Sequence, residues 1–216
     1  RTISGVGGNR NQTVGVFKIF KNECRLDMVE AARLAKVDFS VQIVYNGHRK
    51  VIGILAGDIV EAHHAACREA NRQLRTERAK NADVVVVNAY PQNLQATNSL
   101  GGARSCVRDG GTAVLVIQNP QGLQSWHYAH ERWDYDARPF FETAHPNSRG
   151  VKQAGQFIVY SSYLQMRDKV EFPAGTVFTR TWADTVAAIQ KAHRNSASVA
   201  LYPYAGIQHP PGELDG

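Results

Sequence analysis

The sequence has no long apolar run. Its longest purely apolar stretches are a few residues, far short of the roughly 20 that cross a bilayer, so no part reads as a membrane segment. Cysteine is scarce: Cys24, Cys67 and Cys106 stand far apart with no CxxC pair. That excludes a disulfide framework and a thiolate metal site, and it points to reduced thiols in a cytoplasmic compartment. Internal repeats, low-complexity tracts, a P-loop and a GxGxxG fingerprint are all missing; Gly5-x-Gly7-Gly8 is too short and follows no strand. The start, RTISGVGGNRNQ, has neither the apolar core of a signal peptide nor an initiator methionine. It reads as the start of a fragment, a processed product or a trimmed chain.

What is present is ordinary globular composition: 216 residues, 43% hydrophobic and 20% charged, which rules out disorder and fits one large or two small domains. The net charge is +6, and Arg68, Arg72, Arg75 and Arg78 recur at helical spacing. A solvated helix face accounts for them, with an anion-binding or interdomain face as the alternative. No nucleic-acid module signature accompanies them, so no nucleic-acid partner is expected.

The stretch DVVVVNAYPQNLQATNSL (83–100) organises the rest. Four consecutive valines read as a strand buried on both faces, because a half-solvated strand would alternate polar and apolar residues. Tyr90-Pro91 cannot continue a sheet interior. Asn93 can then cap a helix running to about Arg108. After the turn Asp109-Gly110-Gly111 a second strand covers Thr112–Ile117, and this β-α-β order predicts parallel strands joined by a right-handed crossover. Asn88, Gln95, Gln118 and Asn119 leave the carboxyl ends of those strands, where open α/β sheets gather ligands.

Upstream, 24–36 has a helical rhythm. Val37–Tyr45 and Arg49–Leu55 alternate as two strands around Asn46-Gly47, the dipeptide suited to a type I′ hairpin. Asp58 with Glu61 signals a helix start, and the helix is expected to reach about Lys80. His63 and His64 on it point roughly 100° apart and so cannot hold one metal together; one of them is expected to pack against the hairpin. Downstream, 118–156 is irregular and rich in aromatics and histidine, either a functional segment or a surface meander. His127 and His130 lie three apart there with no third ligand nearby, so no metal site is expected. FIVYSS (157–162) is a third strand, Val177-Phe178 begins a last unit in which Thr181 with Asp184 starts a helix, and Val199–Tyr202 is the final strand.

Three runs together resemble a known family. DMVEAARLAKVDFSVQIVYNGHRKVIGILAGDIVEAHHAAC (27–67), ADVVVVNAYPQNLQATNSL (82–100) and GGTAVLVIQNPQGLQSWHY (110–128) are similar, in order, to motifs in the C-terminal half of the nickel-pincer-nucleotide-dependent lactate racemases. The resemblance implies an α/β fold: a mostly parallel sheet with flanking helices in Rossmann-like layers, plus a β-hairpin. It implies a lead-in, interdomain segment over 1–22, a C-terminal α/β domain over 23–205 and a tail over 206–216. The activity implied is that of a 2-hydroxyacid racemase or epimerase (an isomerase).

In that family the acid-base histidines, the lysine that tethers the cofactor and the nickel-binding histidine belong to the N-terminal half. The tethering pattern is absent here: Gly7-Gly8-Asn9-Arg10 is followed by Asn11. The resemblance therefore implies no catalytic residue in this chain, no covalently bound cofactor, and a partner in the missing N-terminal domain. The substrate-facing residues it implies are Gln95, Asn98, Tyr90 and His127, with a small 2-hydroxyacid as ligand. Gln95 matches a family glutamine whose amide donates to a carboxylate. Asn98 stands where the lactate racemases place a lysine, and a short neutral side chain cannot reproduce that ion pair. For Tyr90, simple packing on the following helix is the competing reading. A non-catalytic α/β module that binds a small anion on the same fold is the alternative function.

Overall fold

The computed structural model describes residues 13, 15–123, 150–169, 172–194 and 196–215, without the side chains of Leu94, Gln95, Met166 and Arg167. The chain divides into two compact units, Arg1–Glu77 with His209–Gly216, and Arg78–Gln208.

The second unit is the parallel sheet. Its elements are β3 (Ala82–Asn88), a 3₁₀ helix (Asn93–Ser99), α3 (Leu100–Cys106), β4 (Val107–Val116), β5 (Gln156–Tyr160), α4 (Met166–Lys169), β6 (Val177–Thr179), α5 (Trp182–Ala192) and β7 (Val199–Tyr202). The strands lie in the order β6-β5-β4-β3-β7, and every neighbouring pair is parallel. The valine run is buried on both faces as its composition demands: no residue from Val84 to Val87 is more than 5% exposed. Period-two alternation sends Val85 and Val87 to the face carrying Leu100, Ala103 and Cys106, and Val84 and Val86 to the face carrying Ala188 and Ile189. Each such burial stabilises the fold by about 1.5–3 kcal/mol.

Two local expectations need correction here. The helix foreseen from Asn93 to about Arg108 is a 3₁₀ turn followed by the short α3, and Asn93 opens the 3₁₀ helix rather than capping it. The turn foreseen at Asp109-Gly110-Gly111 interrupts β4 instead of preceding it. Pairing jumps from Ala82–Val107 to Val84–Thr112, looping out 108–111. Gly110 takes φ +72° there, and a Cβ on Gly111 would sit 2.8 Å from the Asp83 carbonyl oxygen. Glycine is required at both positions. At the same edge the Asp83 carboxylate accepts from Arg108 Nε at 2.6 Å and from the Ser198 backbone N–H and hydroxyl at 2.8 Å, tying the starts of three strands together.

The first unit holds α1 (Glu23–Leu34), β1 (Ser40–Tyr45), β2 (Val51–Gly57) and α2 (Ile59–Leu74). β1 and β2 form the expected antiparallel hairpin. Its turn is not the two-residue type I′ form: Arg49 N–H donates to the Asn46 carbonyl, and Arg49, not Asn46 or Gly47, takes positive φ. The Asn46 side chain accepts from the backbone of His48 and Lys50, and this longer loop goes with a register shift at Val44/Tyr45. α2 is capped by Asp58, which accepts from Val60 and Glu61. Its small buried Ala62 and Ala66 let the helix approach the hairpin, and a Cβ on Gly53 of β2 would already crowd Glu69 at 3.3 Å.

α2 ends at Leu74, six residues short of the expected Lys80. Arg75 is extended and forms a parallel bridge with His209, whose segment returns to this unit and places the Asp215 carboxylate on the backbone N–H groups of Ile19, Phe20 and Lys21. The arginine series is therefore not one helix face. Arg72 pairs with Glu69 at 2.7 Å, Arg75 donates to the Gly212 carbonyl, and Arg78, in the second unit, stacks 4.7 Å from the Tyr202 ring. His64 packs edge-on against Phe20, which precedes α1 and is not part of the hairpin, with ring centroids 4.5 Å apart. No helix among the described residues is long and apolar enough to cross a membrane.

Candidate functional site

The carboxyl edge of the parallel sheet holds Asn88, Tyr90, Asn98, Gln118 and Asn119 of the sequence-predicted residues. β3 ends in Asn88, whose carbonyl accepts from Ala205 N–H and whose side-chain oxygen accepts from Tyr90 N–H at 3.1 Å. That local turn, followed by a cis Tyr90-Pro91 peptide bond, swings the chain away from the sheet. The Tyr90 ring is half-buried, 6.1 Å from the Tyr204 ring. The turn after β7 reaches the same place: a Cβ on Gly206 would lie 2.9 Å from the Ala89 carbonyl oxygen and 3.1 Å from Gln92 Cβ. The ring contact of Tyr90 is thus with the turn after β7, where packing on the following helix was the expectation, and the residue also borders the edge.

The 3₁₀ helix follows. Its period of three residues per turn puts positions 95 and 98 on one edge, as the α-helical reading also required. Asn98 is exposed, while the side chain of Gln95 lies outside the described residues. His127 lies outside them entirely. The structure brings Asn88, Tyr90 and Asn98 into one connected segment, and Gln118 and Asn119 follow β4 at the same edge of the sheet.

Sequence reasoning missed two residues of this segment. Among the described residues, Asn93 Oδ1 and Ser99 Oγ are buried without a hydrogen-bond partner, and so is Gln118 Nε2 beyond the end of β4. Buried polar atoms are nearly always paired, and leaving one unpaired costs about 1–3 kcal/mol. An amide donor, an amide acceptor and a hydroxyl with unused capacity are the groups that recognise a small polar ligand. Both residues lie on the 3₁₀ helix, which no residue pattern distinguishes from a regular one.

After β4 the loop is fixed by Asn119, which donates to the Gly122 carbonyl and accepts from Gln121 N–H. Gly122 has φ +74°, and a Cβ there would meet the Asp168 carboxylate at 2.7 Å. Asp168 is fully buried and accepts from Gln165 N–H at 2.9 Å. Just past the end of β5, Ser161 Oγ accepts from Tyr163 N–H. Tyr202 anchors the far side: its hydroxyl accepts from Ala79 N–H at 2.9 Å and contacts Cys106 Sγ at 3.1 Å. Burial, then the contact with Cys106, pushes its phenol above the usual range, so it stays protonated.

Among the described residues no three His, Cys, Asp or Glu side chains come together as a metal site. The nearest approach in kind is a pair on α2, His63 Nε2 and Cys67 Sγ at 3.3 Å. Burial lowers the imidazole and raises the thiol, which keeps both neutral and makes the contact structural. The described residues therefore do not form a nickel site.

No family model matches the chain. It is similar to the lactate racemase of Lactiplantibacillus plantarum, 31% identical over 123 residues that make up 55% of this chain and 29% of that protein. It is also similar to the lactate racemase of Thermoanaerobacterium thermosaccharolyticum, 28% identical over 47% of this chain and 25% of that protein. In fold it matches the lactate racemase apoprotein from T. thermosaccharolyticum, with a TM-score of 0.63 at 16% identity over 88% of this chain and 49% of that one. A crystal structure of a Thermotoga maritima protein matches with a TM-score of 0.51 at 14% identity, over 87% of this chain and 53% of that one. The matches thus span between a quarter and about half the length of these relatives.

Proposed function

We propose, since the chain is lactate racemase-like in sequence and fold, that it is the substrate-positioning C-terminal part of a 2-hydroxyacid racemase or epimerase. The observation that carries this reading is the carboxyl edge of the sheet, where Asn93, Ser99 and Gln118 keep buried hydrogen-bonding capacity next to the segment that holds positions 95 and 98. A 2-hydroxyacid offers what such groups bind: a carboxylate to take amide donors and a hydroxyl that both gives and accepts. In this reading Gln95 holds the carboxylate. Asn98 supplies no cation for it, which favours a substrate anchored differently from lactate. The nickel pincer nucleotide of the family, its tether and the acid-base groups are assigned to the N-terminal domain outside this chain, and this chain alone is inactive. The free thiols fit the cytoplasmic placement that goes with the proposal.

The test uses the complete gene product that contains this chain, loaded with the pincer nucleotide and given single enantiomers of a panel of 2-hydroxyacids. The expected outcome is loss of optical purity for at least one member larger than lactate. Unchanged optical purity across the panel with fully loaded protein overturns the proposal. Within the same assay Gln95→Ala is expected to lower kcat/KM by about 10- to 100-fold, the worth of a hydrogen bond to a charged group, while leaving cofactor loading unchanged.

A further inference from the structure

The hairpin of the first unit presents two unequal faces. One packs on α2 through Val44, which is 6% exposed, and through Gly53 against Glu69. The other carries the cross-strand neighbours Ile43 with Ile54 and Tyr45 with Val51, extended by Val41 and Phe39, and all six side chains are between 46% and 65% exposed. No charged residue interrupts that row. A two-stranded sheet covered on one side only is marginal in water, and contiguous exposed apolar surface on a folded protein marks an interaction site. α1 repeats the pattern: it has no buried residue, and Leu26, Met28 and Leu34 are at least half exposed. Among the described residues the first unit has one apolar layer too few.

The relatives indicate what supplies it. The structural match to the lactate racemase apoprotein covers 88% of this chain, a longer stretch than the second unit, so it takes in the first unit as well. It covers only 49% of the relative, so about as much polypeptide again lies outside the match. A second copy of this chain is the weaker occupant, because each copy carries a net charge of +6.

We infer that the outward face of β1 and β2 is the seat of the rest of the parent polypeptide, which lays an apolar layer across Ile43, Ile54, Tyr45 and Val51. The inference takes from the proposed function the identity of that polypeptide, and nothing from its activity. Hydrogen exchange should be compared between the complete gene product and the 216-residue chain. In the complete product the amides of β1 and β2 are expected to exchange about tenfold more slowly, while those of Val84–Val87, already buried, change little. Ile43→Thr combined with Ile54→Thr, which keeps β-branched residues opposite each other, is expected to lower the Tm of the complete product by several degrees and to change that of the 216-residue chain far less.

Equal exchange of β1 and β2 in the two proteins overturns the inference, as does a gene that encodes nothing beyond this chain. A concentration-dependent dimer of the 216-residue chain that the double variant dissolves also overturns it, in favour of a second copy. Protection of the hairpin in a complete product that racemises nothing upholds the docking face and removes the proposed activity; racemisation without protection does the reverse.

Discussion

The valines of β3 and the apolar residues of β1, Val41, Ile43 and Tyr45, are treated by the molecule in opposite ways. Val84 to Val87 have neighbours on both faces and on both edges, whereas Val41, Ile43 and Tyr45 face water. Hydrophobicity alone therefore does not place a strand in a core; the number of layers around it does. The layers around β3 are complete in this sense and those around β1 are not; the edge strand β7, with Val199 and Leu201 each 62% exposed, lies between the two cases. Substitutions at matched positions should separate the two.

The largest effect is expected where both faces are covered. Leu115 on β4 is fully buried beneath α3, and Leu115→Ala should cost about 2–5 kcal/mol through lost transfer energy and the cavity left behind. Urea unfolding followed by circular dichroism checks it through a lower midpoint at unchanged slope. A loss under 1 kcal/mol would mean that this layer is looser than its burial indicates.

Helix caps come next and sharpen the comparison, because the same device is used in both units. Thr181 accepts from Asp184 N–H at the start of α5, and Asp58 accepts from Val60 and Glu61 at the start of α2. Replacing either with Ala should cost about 1 kcal/mol. The consequence should differ. α5 packs on the parallel sheet, so Thr181→Ala lowers global stability. α2 covers a hairpin open on its other side, so Asp58→Ala should speed local hydrogen exchange of the first unit with little change in the unfolding midpoint of the second.

The Asp83 carboxyl, bonded first to Arg108 and then to Ser198, is held well below the usual carboxylate range. A depressed folded value means that the stabilisation is complete above the unfolded pKa of about 4 and is lost as pH falls through the folded one. Asp83→Asn is expected to be modestly less stable at neutral pH and to show a flatter decline of the urea midpoint below about pH 4. An unchanged acid slope would show that Asp83 does not carry the acid sensitivity.

What the sequence disclosed follows the same division. The four valines, the Pro91 exit and the Thr181 cap were legible because each is a strong local signal with one physical solution. The hairpin was legible as a pairing, but its turn was not: Arg49 takes the left-handed conformation that Gly47 was expected to take, because the Asn46 side chain captures two backbone N–H groups and lengthens the loop. The end of α2 was invisible because 75–80 contains neither Gly nor Pro; a tertiary bridge to His209 sets it. At the candidate site the outgoing polar residues were readable from the ends of the strands, whereas the unpaired Asn93 and Ser99 depend on a 3₁₀ geometry that no residue pattern announces.

The smallest effect is the most discriminating. Ile54 is 65% exposed and sits opposite Ile43 on the outward face of the hairpin. In the 216-residue chain Ile54→Thr keeps a β-branched side chain on an exposed strand, so stability should change by no more than about 0.5 kcal/mol. The same substitution at Val44, 6% exposed on the inner face, buries a hydroxyl against α2 and should cost about 1–3 kcal/mol. Unfolding of the two variants side by side measures the asymmetry of one two-stranded sheet. If Ile54→Thr costs as much as Val44→Thr in this chain, the outward face is already covered, and the contrast between the layers around β3 and those around β1 collapses.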